Sequence, residues 1–240
     1  SNPWVSGQSQ QITLMGGSQN IGNLAACNPI AGTVTDIDGN VYSTVVIGNQ
    51  EWMQENLKTT HYKNGAVIPL ITDSAIWEYA STGASANLNN DLTNVAVYGK
   101  LYNWYAVADP QGLCPSGWHV PENWEWYKLF TTLDSNADTI SGGVIPSGIA
   151  GGSMKEVGLS HWQSPNAGAT NSSGFTGLPG GYRDVLGIYD AYGSSAFWWS
   201  STNYNSFFPN AVCVFYDEEI VELTDLFEMT EGLSVRCVKN

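Results

Sequence analysis

The chain has 240 residues, enough for one large domain, or one with a small appendage, and for a substantial buried core. Its 22 acidic and 8 basic residues give a formal charge of −14; without a basic stripe to replace counterions this excludes nucleic-acid binding and disfavours anionic membrane surfaces. Charged residues make up only 12% of the chain, about half the usual quarter, so its polar surface is mostly Asn, Ser, Thr, Gly and Gln, as suits secreted and cell-surface proteins.

Residues 1 to 32 form an N-terminal arm, a linker or the end of a preceding β domain, and residues 33 to 240 the main domain. Within the arm, QQITLMGGSQNIGNLAAC holds a strand-like piece, a Gly16-Gly17 turn and a second apolar piece. Read as an extended arm, residues 1 to 27 would pair with a sheet edge on an identical subunit. Asn28-Pro29 marks the boundary. The sequence begins without Met and shows no signal peptide, so it reads as a mature or excised piece; no run is apolar enough to span a membrane. Residues 33 to 48 predict a β-hairpin about Asp38-Gly39-Asn40. The D-x-D-G-N string there resembles a calcium loop but lacks the later ligands and the final glutamate.

Trp52 and Met53 are expected core, Leu57 leads toward another strand, and Trp77 anchors an irregular polar stretch over residues 72 to 97. The segment from Tyr98 to Leu129 packs Trp104, Trp118, Trp124 and Trp126 around Cys114 and then enters a helix. Pro121 supplies a preset φ, Glu122 and Glu125 suit the positive end of the helix dipole, and Trp126, Leu129, Phe130 and Leu133 recur at helical period. Residues 134 to 175 read as long loops around a short element at Met154 to Val157. From Gly180 onward come GGYRD, FWWSST, AVCVFY, EEIVEL and LSVRCV; in the last, Leu233, Val235 and Cys237 alternate with Ser234, Arg236 and Val238 as inward and outward positions. The sum is an α+β domain. None of the four cysteines, Cys27, Cys114, Cys213 and Cys237, forms a C-x-x-C pair, which excludes a zinc ribbon or thioredoxin-like motif. One or two disulfides are expected in an extracellular setting. His61, His119 and His161 lack metal-ligand spacing.

The ordered set VTDIDGNVY, IGNQEWMQENLKT, YGKLYNWYAV, LCPSGWHVPENWEW, LPGGYRD, FWWSST and GLSVRCVK resembles the Fibrobacter succinogenes major paralogous domain over about residues 33 to 240. That resemblance implies secretion or surface attachment and no generally assigned activity. More remotely, VPENWEW, GGYRD and VRCVK are similar to segments of the formylglycine-generating-enzyme and C-type-lectin-like fold. This second resemblance implies a small twisted antiparallel sheet, one or two helices, long loops, and a disulfide from Cys114 to Cys237. Cys27 and Cys213 would then be a second pair or two free thiols.

Candidate chemistry is sparse. An oxidase of the formylglycine type needs two reactive thiols close together, and Cys213 lies alone in an apolar strand. Ser200, Ser201 and Thr202 lack a G-x-S-x-G context and read as a turn bonding local backbone. The acids at Asp217 to Glu219 and Glu222 to Glu231 read as a solvated face rather than a glycosidase pair. No cofactor is implied; calcium is compatible with the acidity, but Pro121-Glu122-Asn123 has the lectin residue types in another order. Tyr182, Tyr189, Tyr192 and Tyr204, with Arg183, are the expected ligand-binding residues, stacking on sugar rings or holding an anion; Arg183 also reads as a buried structural salt-bridge partner of Asp184 or of a loop carboxylate. Ser74 and Thr139 sit in D-[S/T]-aliphatic patterns for O-glycosylation. The expected function is a secreted or cell-surface, non-enzymatic recognition or adhesion module for a glycan or surface protein. The alternative is a self-assembling subunit of an extracellular filament or coat, and an oxidase or hydrolase stands last.

Overall fold

Asp36 organises the first hairpin. Its carboxylate accepts from the backbone N–H groups of Asp38 and Asn40 at 3.0 and 2.9 Å, from Asn40 Nδ2 at 2.9 Å and from the Tyr42 hydroxyl at 2.6 Å. The D-x-D-G-N string is thus a turn whose first acid is consumed by its own loop, with Gly39 at φ +84°. This computed structural model describes residues 30–137, 148–203 and 208–240; the expectations for residues 1 to 27, Cys27, Thr139 and Tyr204 fall outside them.

In chain order the strands are β1 (Ile30–Thr35), β2 (Val41–Ile47), β3 (Gln50–Met53), β4 (Ser85–Asn87), β5 (Lys100–Asn103), β6 (Trp118–His119), β7 (Tyr182–Arg183), β8 (Tyr189–Asp190), β9 (Ser195–Asn203), β10 (Pro209–Phe215), β11 (Val221–Thr224), β12 (Gly232–Ser234) and β13 (Val238–Lys239). The helices are α1 (Ser74–Glu78), α2 (Val95–Tyr98), α3 (Trp104–Val107), α4 (Asn123–Leu133) and α5 (Ala150–Met154). The chain is therefore α+β, but richer in sheet than one small sheet. One sheet of five strands runs β1-β2-β3-β13-β6, and a second of eight strands runs β11-β10-β9-β12-β5-β4 with β7 and β8 branching from β12. The second is not purely antiparallel, because β12 runs parallel to β9, Ser234 opposite Trp198. Among the described residues only α4 exceeds five residues. Leu57 does not lead into a strand; its segment docks through single bonds, Leu57 N–H to Val235 O at 2.8 Å and Lys100 N–H to Leu57 O at 2.9 Å.

The scarcity of charge follows from how β9 and β10 are buried. Phe197 and Trp199, with Ala211 and Cys213, face one apolar cluster that holds Tyr42, Met53, Tyr102, Trp118 and Leu233. Ala196 and Trp198, with Val212 and Val214, face a second cluster around Trp52, Trp126, Phe130 and Phe175. Strand periodicity of two thus feeds two cores rather than one core and solvent. The expected alternation in the last segment fails for this reason: Ser234, Arg236 and Val238 are as buried as Leu233, Val235 and Cys237. The segment is also not one strand; the chain leaves the larger sheet at Ser234 and enters the smaller at Val238, with Arg236 at the crossing.

Cys114 and Cys237 form a disulfide, with Cα atoms 6.0 Å apart across 123 residues of sequence. It ties the segment before α4 to the last strand. Cys213 is a buried thiol with no disulfide. No helix among the described residues is long and apolar enough to cross a membrane.

Candidate binding site

Most of the expected tyrosine surface serves packing. Tyr182 packs edge-on to Phe197 and Phe227, at ring separations of 5.3 and 5.9 Å. Tyr189 donates its hydroxyl to Asn90 Oδ1 at 2.8 Å and stacks under Arg183 at 5.1 Å. Arg183 is fully buried. It makes no ion pair with Asp184; its guanidinium donates to the carbonyls of Gly187, Ile71 and Thr72 and covers the Trp77 ring at 4.5 Å. With no exposed surface it offers an anion no contact, so Arg183 is not a ligand contact but a clamp between two loops, Ile71-Thr72 and the turn at Gly187. Tyr192 remains exposed, its hydroxyl 3.2 Å from that of Tyr98. Ser74 is exposed at the start of α1 and donates to Gly187 O at 3.2 Å.

An opening lies elsewhere, beside the start of α4. Pro121 is not the first helical residue; Glu122 is the N-cap and Asn123 begins the helix. Glu125 reaches back to accept the Glu122 N–H at 2.9 Å. The SST run bonds locally, Ser200 Oγ accepting the Thr202 N–H at 3.1 Å, and it also fixes this helix end. Ser200 donates to Asn123 Oδ1 at 2.7 Å, Thr202 Oγ1 accepts the Asn123 N–H at 3.0 Å, and Ser201 N–H donates to Pro121 O at 2.8 Å.

Below this fixed helix start is a cavity of about 320 Å³, within the range of small-molecule sites, about 300–1,000 Å³. Val107, Leu113, Cys114, Trp118 and Val120 give it an apolar floor, and Lys63, His119, Glu122 and Ser201 supply polar groups. A neighbouring cavity of about 260 Å³ shares Lys63, Leu113 and Cys114 and adds Asp36, Thr59 and His61. At its rim His61 Nδ1 lies 2.5 Å from Asp38 Oδ1. Partial burial works to raise the Asp38 pKa, but hydrogen bonds from Thr60, His61 and Thr59 outweigh it and hold the group at about 2.

Trp124 is not in the lining of the first cavity but bonds Glu122, which is. It is 54% exposed, yet its Nε1–H donates to Glu122 Oε2 at 2.9 Å and Lys128 Nζ lies 5.9 Å from its ring centroid. The exposed indole is thus held in one orientation by a group that lines the cavity. The sequence reading grouped Trp124 with the surrounding tryptophans. The signal that separates it is angular: it falls off the stripe of Trp126, Leu129, Phe130 and Leu133, a large aromatic on a helix's wet face.

His119 binds the helix start to the chain end, with Nε2 2.8 Å from Glu125 Oε2 and Nδ1 2.7 Å from Asn240 Oδ1. The Glu125 hydrogen bond raises its pKa above the ordinary 6.5, against a smaller opposing effect of burial. A raised folded pKa gives stability that is complete below the unfolded value and lost as pH rises through the folded one. The melting-temperature gap between the protein and His119→Gln is therefore expected to be widest near pH 5.5 and to shrink toward about pH 8.5; a gap constant across that range contradicts the pairing.

No group of three or more His, Cys, Asp or Glu able to hold a metal occurs among the described residues. The model of the Fibrobacter succinogenes major domain family matches residues 45–239. No curated protein matches the chain, and no solved structure does.

Proposed function

Because the chain belongs to the Fibrobacter succinogenes major domain family, we propose that it is a non-enzymatic recognition module, secreted or at the cell surface, that binds a glycan in the cleft beside Trp124. The observation that carries this reading is the indole itself: an exposed tryptophan hydrogen-bonded to Glu122, a residue that lines a cavity with both apolar and polar groups. A sugar ring offers an apolar C–H face to such an indole and hydroxyls to side chains like those of Ser201, His119 and Glu122. The disulfide and the low charge support an extracellular setting. A C-type-lectin-like architecture is our reading of the fold, supported by the disulfide between the segment before α4 and the final strand, and by β1, β2 and β3 sharing a sheet with β13.

A glycan array followed by titration of the best oligosaccharide tests this. Trp124→Ala is expected to weaken binding at least about tenfold while changing stability by less than about 0.5 kcal/mol, because the side chain is exposed. Binding that survives Trp124→Ala and is lost in Tyr192→Ala would move the contact face to the β8 loop and overturn the proposal.

A further inference from the structure

We propose that α1 with Tyr79, the turn at residues 184–188 and the turn at residues 88–94 form a docking surface for a cationic polypeptide, one whose apolar side chains are interspersed with Lys or Arg. The three segments touch. A methyl group on Gly187 would come within 2.7 Å of Ser74 Cα, Asn90 Nδ2 donates to Thr72 O at 3.1 Å, and the Tyr189 hydroxyl donates to Asn90 Oδ1 at 2.8 Å. Two fully buried side chains anchor them. Arg183 bonds the carbonyls of Ile71, Thr72 and Gly187, and the Trp77 indole donates to Asp184 O at 3.1 Å. On these anchored segments Ile76, Tyr79, Leu92, Leu186 and Ile188 are each more than half exposed. Single exposed apolar residues are ordinary; five on touching segments mark an interface, and one whose backbone needs little further ordering on binding. None of the five lines either cavity beside α4, so the proposal does not rest on the glycan reading.

Charge selects the occupant. Asp73, Glu78, Asp91, Asp184 and Asp190 belong to the same segments, and residues 71–79, 88–94 and 183–190 hold no cation except the buried Arg183. Apolar residues set among acids, with no exposed base, are complementary to apolar residues set among Lys or Arg. A second copy docked patch to patch would bring acids against acids. Residues 1 to 29 contain neither Lys nor Arg and so do not supply the complement. An anionic lipid surface is repelled. Four of the five side chains are aliphatic and offer a sugar ring no flat face to stack on.

The test is fluorescence anisotropy of the full chain with a labelled synthetic helix that carries Leu at helical period among Lys, and with the same peptide in which Glu replaces Lys. The Lys peptide is expected to bind at least about tenfold tighter than the Glu peptide. Ile76→Ser/Ile188→Ser is expected to weaken the Lys peptide at least about tenfold without unfolding the chain, because both positions are exposed. Val41→Ser, an exposed apolar position in the smaller sheet, should leave binding unchanged. Glu78→Gln/Asp190→Asn is expected to weaken the Lys peptide about threefold at ~20 mM salt and less at ~500 mM. Failure of the Lys peptide to bind, equal binding of the two peptides, or binding that survives Ile76→Ser/Ile188→Ser overturns the inference. Self-association of the chain in light scattering that the same double variant abolishes would make a second copy the occupant and overturn it as well.

Discussion

Replacing Cys114 by serine is expected to lower the unfolding free energy by about 5 kcal/mol, the loop-closure entropy of a cross-link spanning 123 residues. The effect is large because the closed loop is long, although β6 and β13 also pair beside the bond, Val238 opposite His119 and Lys239 opposite Trp118. Cys237→Ser should cost the same, and the double variant no more than either single one, since each removes the same link. Urea unfolding of the three variants, beside the reduced and oxidised protein, measures this. Because Cys114 also walls both cavities, the loosened protein should bind ligand more weakly as well. A loss below about 1 kcal/mol would mean that the two core clusters hold the chain end without the bond.

Arg236→Ala is the second large effect, expected to cost about 4 kcal/mol. The guanidinium sits where the chain passes between sheets. It donates through Nε and Nη2 to Asn56 Oδ1 at 3.2 and 2.7 Å and through Nη1 to Phe175 O, and its plane covers the Phe175 ring at 4.1 Å. Burial lowers its pKa to about 9, leaving it charged at neutral pH. Truncation removes the filling of a core site and leaves the Phe175 carbonyl without that donor, while Asn56 Oδ1 keeps the Trp198 indole at 2.9 Å. Arg236→Lys should still cost about 2 kcal/mol, because one ammonium cannot span both acceptors as the planar fork does. Denaturant unfolding with unchanged m-values would support this account; Arg236→Ala within about 1 kcal/mol of the parent would contradict it.

How far the sequence was legible depended on the range of the interaction. The Asp36 to Asn40 turn and the Trp126, Leu129, Phe130 stripe were readable because they are decided within a few residues. Cys114 to Cys237 came through resemblance; residue spacing by itself left the pairing open. What escaped was what depends on distant partners. Arg183 read as an anion contact or a buried ion-pair partner and Arg236 as an outward position, since nothing in GGYRD or VRCVK announces that the loops at Ile71, Thr72 and Phe175 aim carbonyls at them. The last segment read as half-buried, because alternation cannot distinguish one core plus solvent from two cores. The cleft escaped most completely, because Lys63, Val107, Trp118 and Ser201 are brought to one cavity only by the fold. Trp124 alone left a local sign, as the aromatic off the helix stripe.

The central claim is that a glycan meets the protein at Trp124, and the most direct measurement is the indole resonance of Trp124 in ¹H–¹⁵N spectra, assigned by Trp124→Phe, during titration with the best-binding oligosaccharide of the array. This account expects that resonance to shift saturably, with the affinity that calorimetry measures. A titration in which ligand binds while the Trp124 resonance stays fixed, and signals from Tyr189 and Tyr192 move instead, would contradict it.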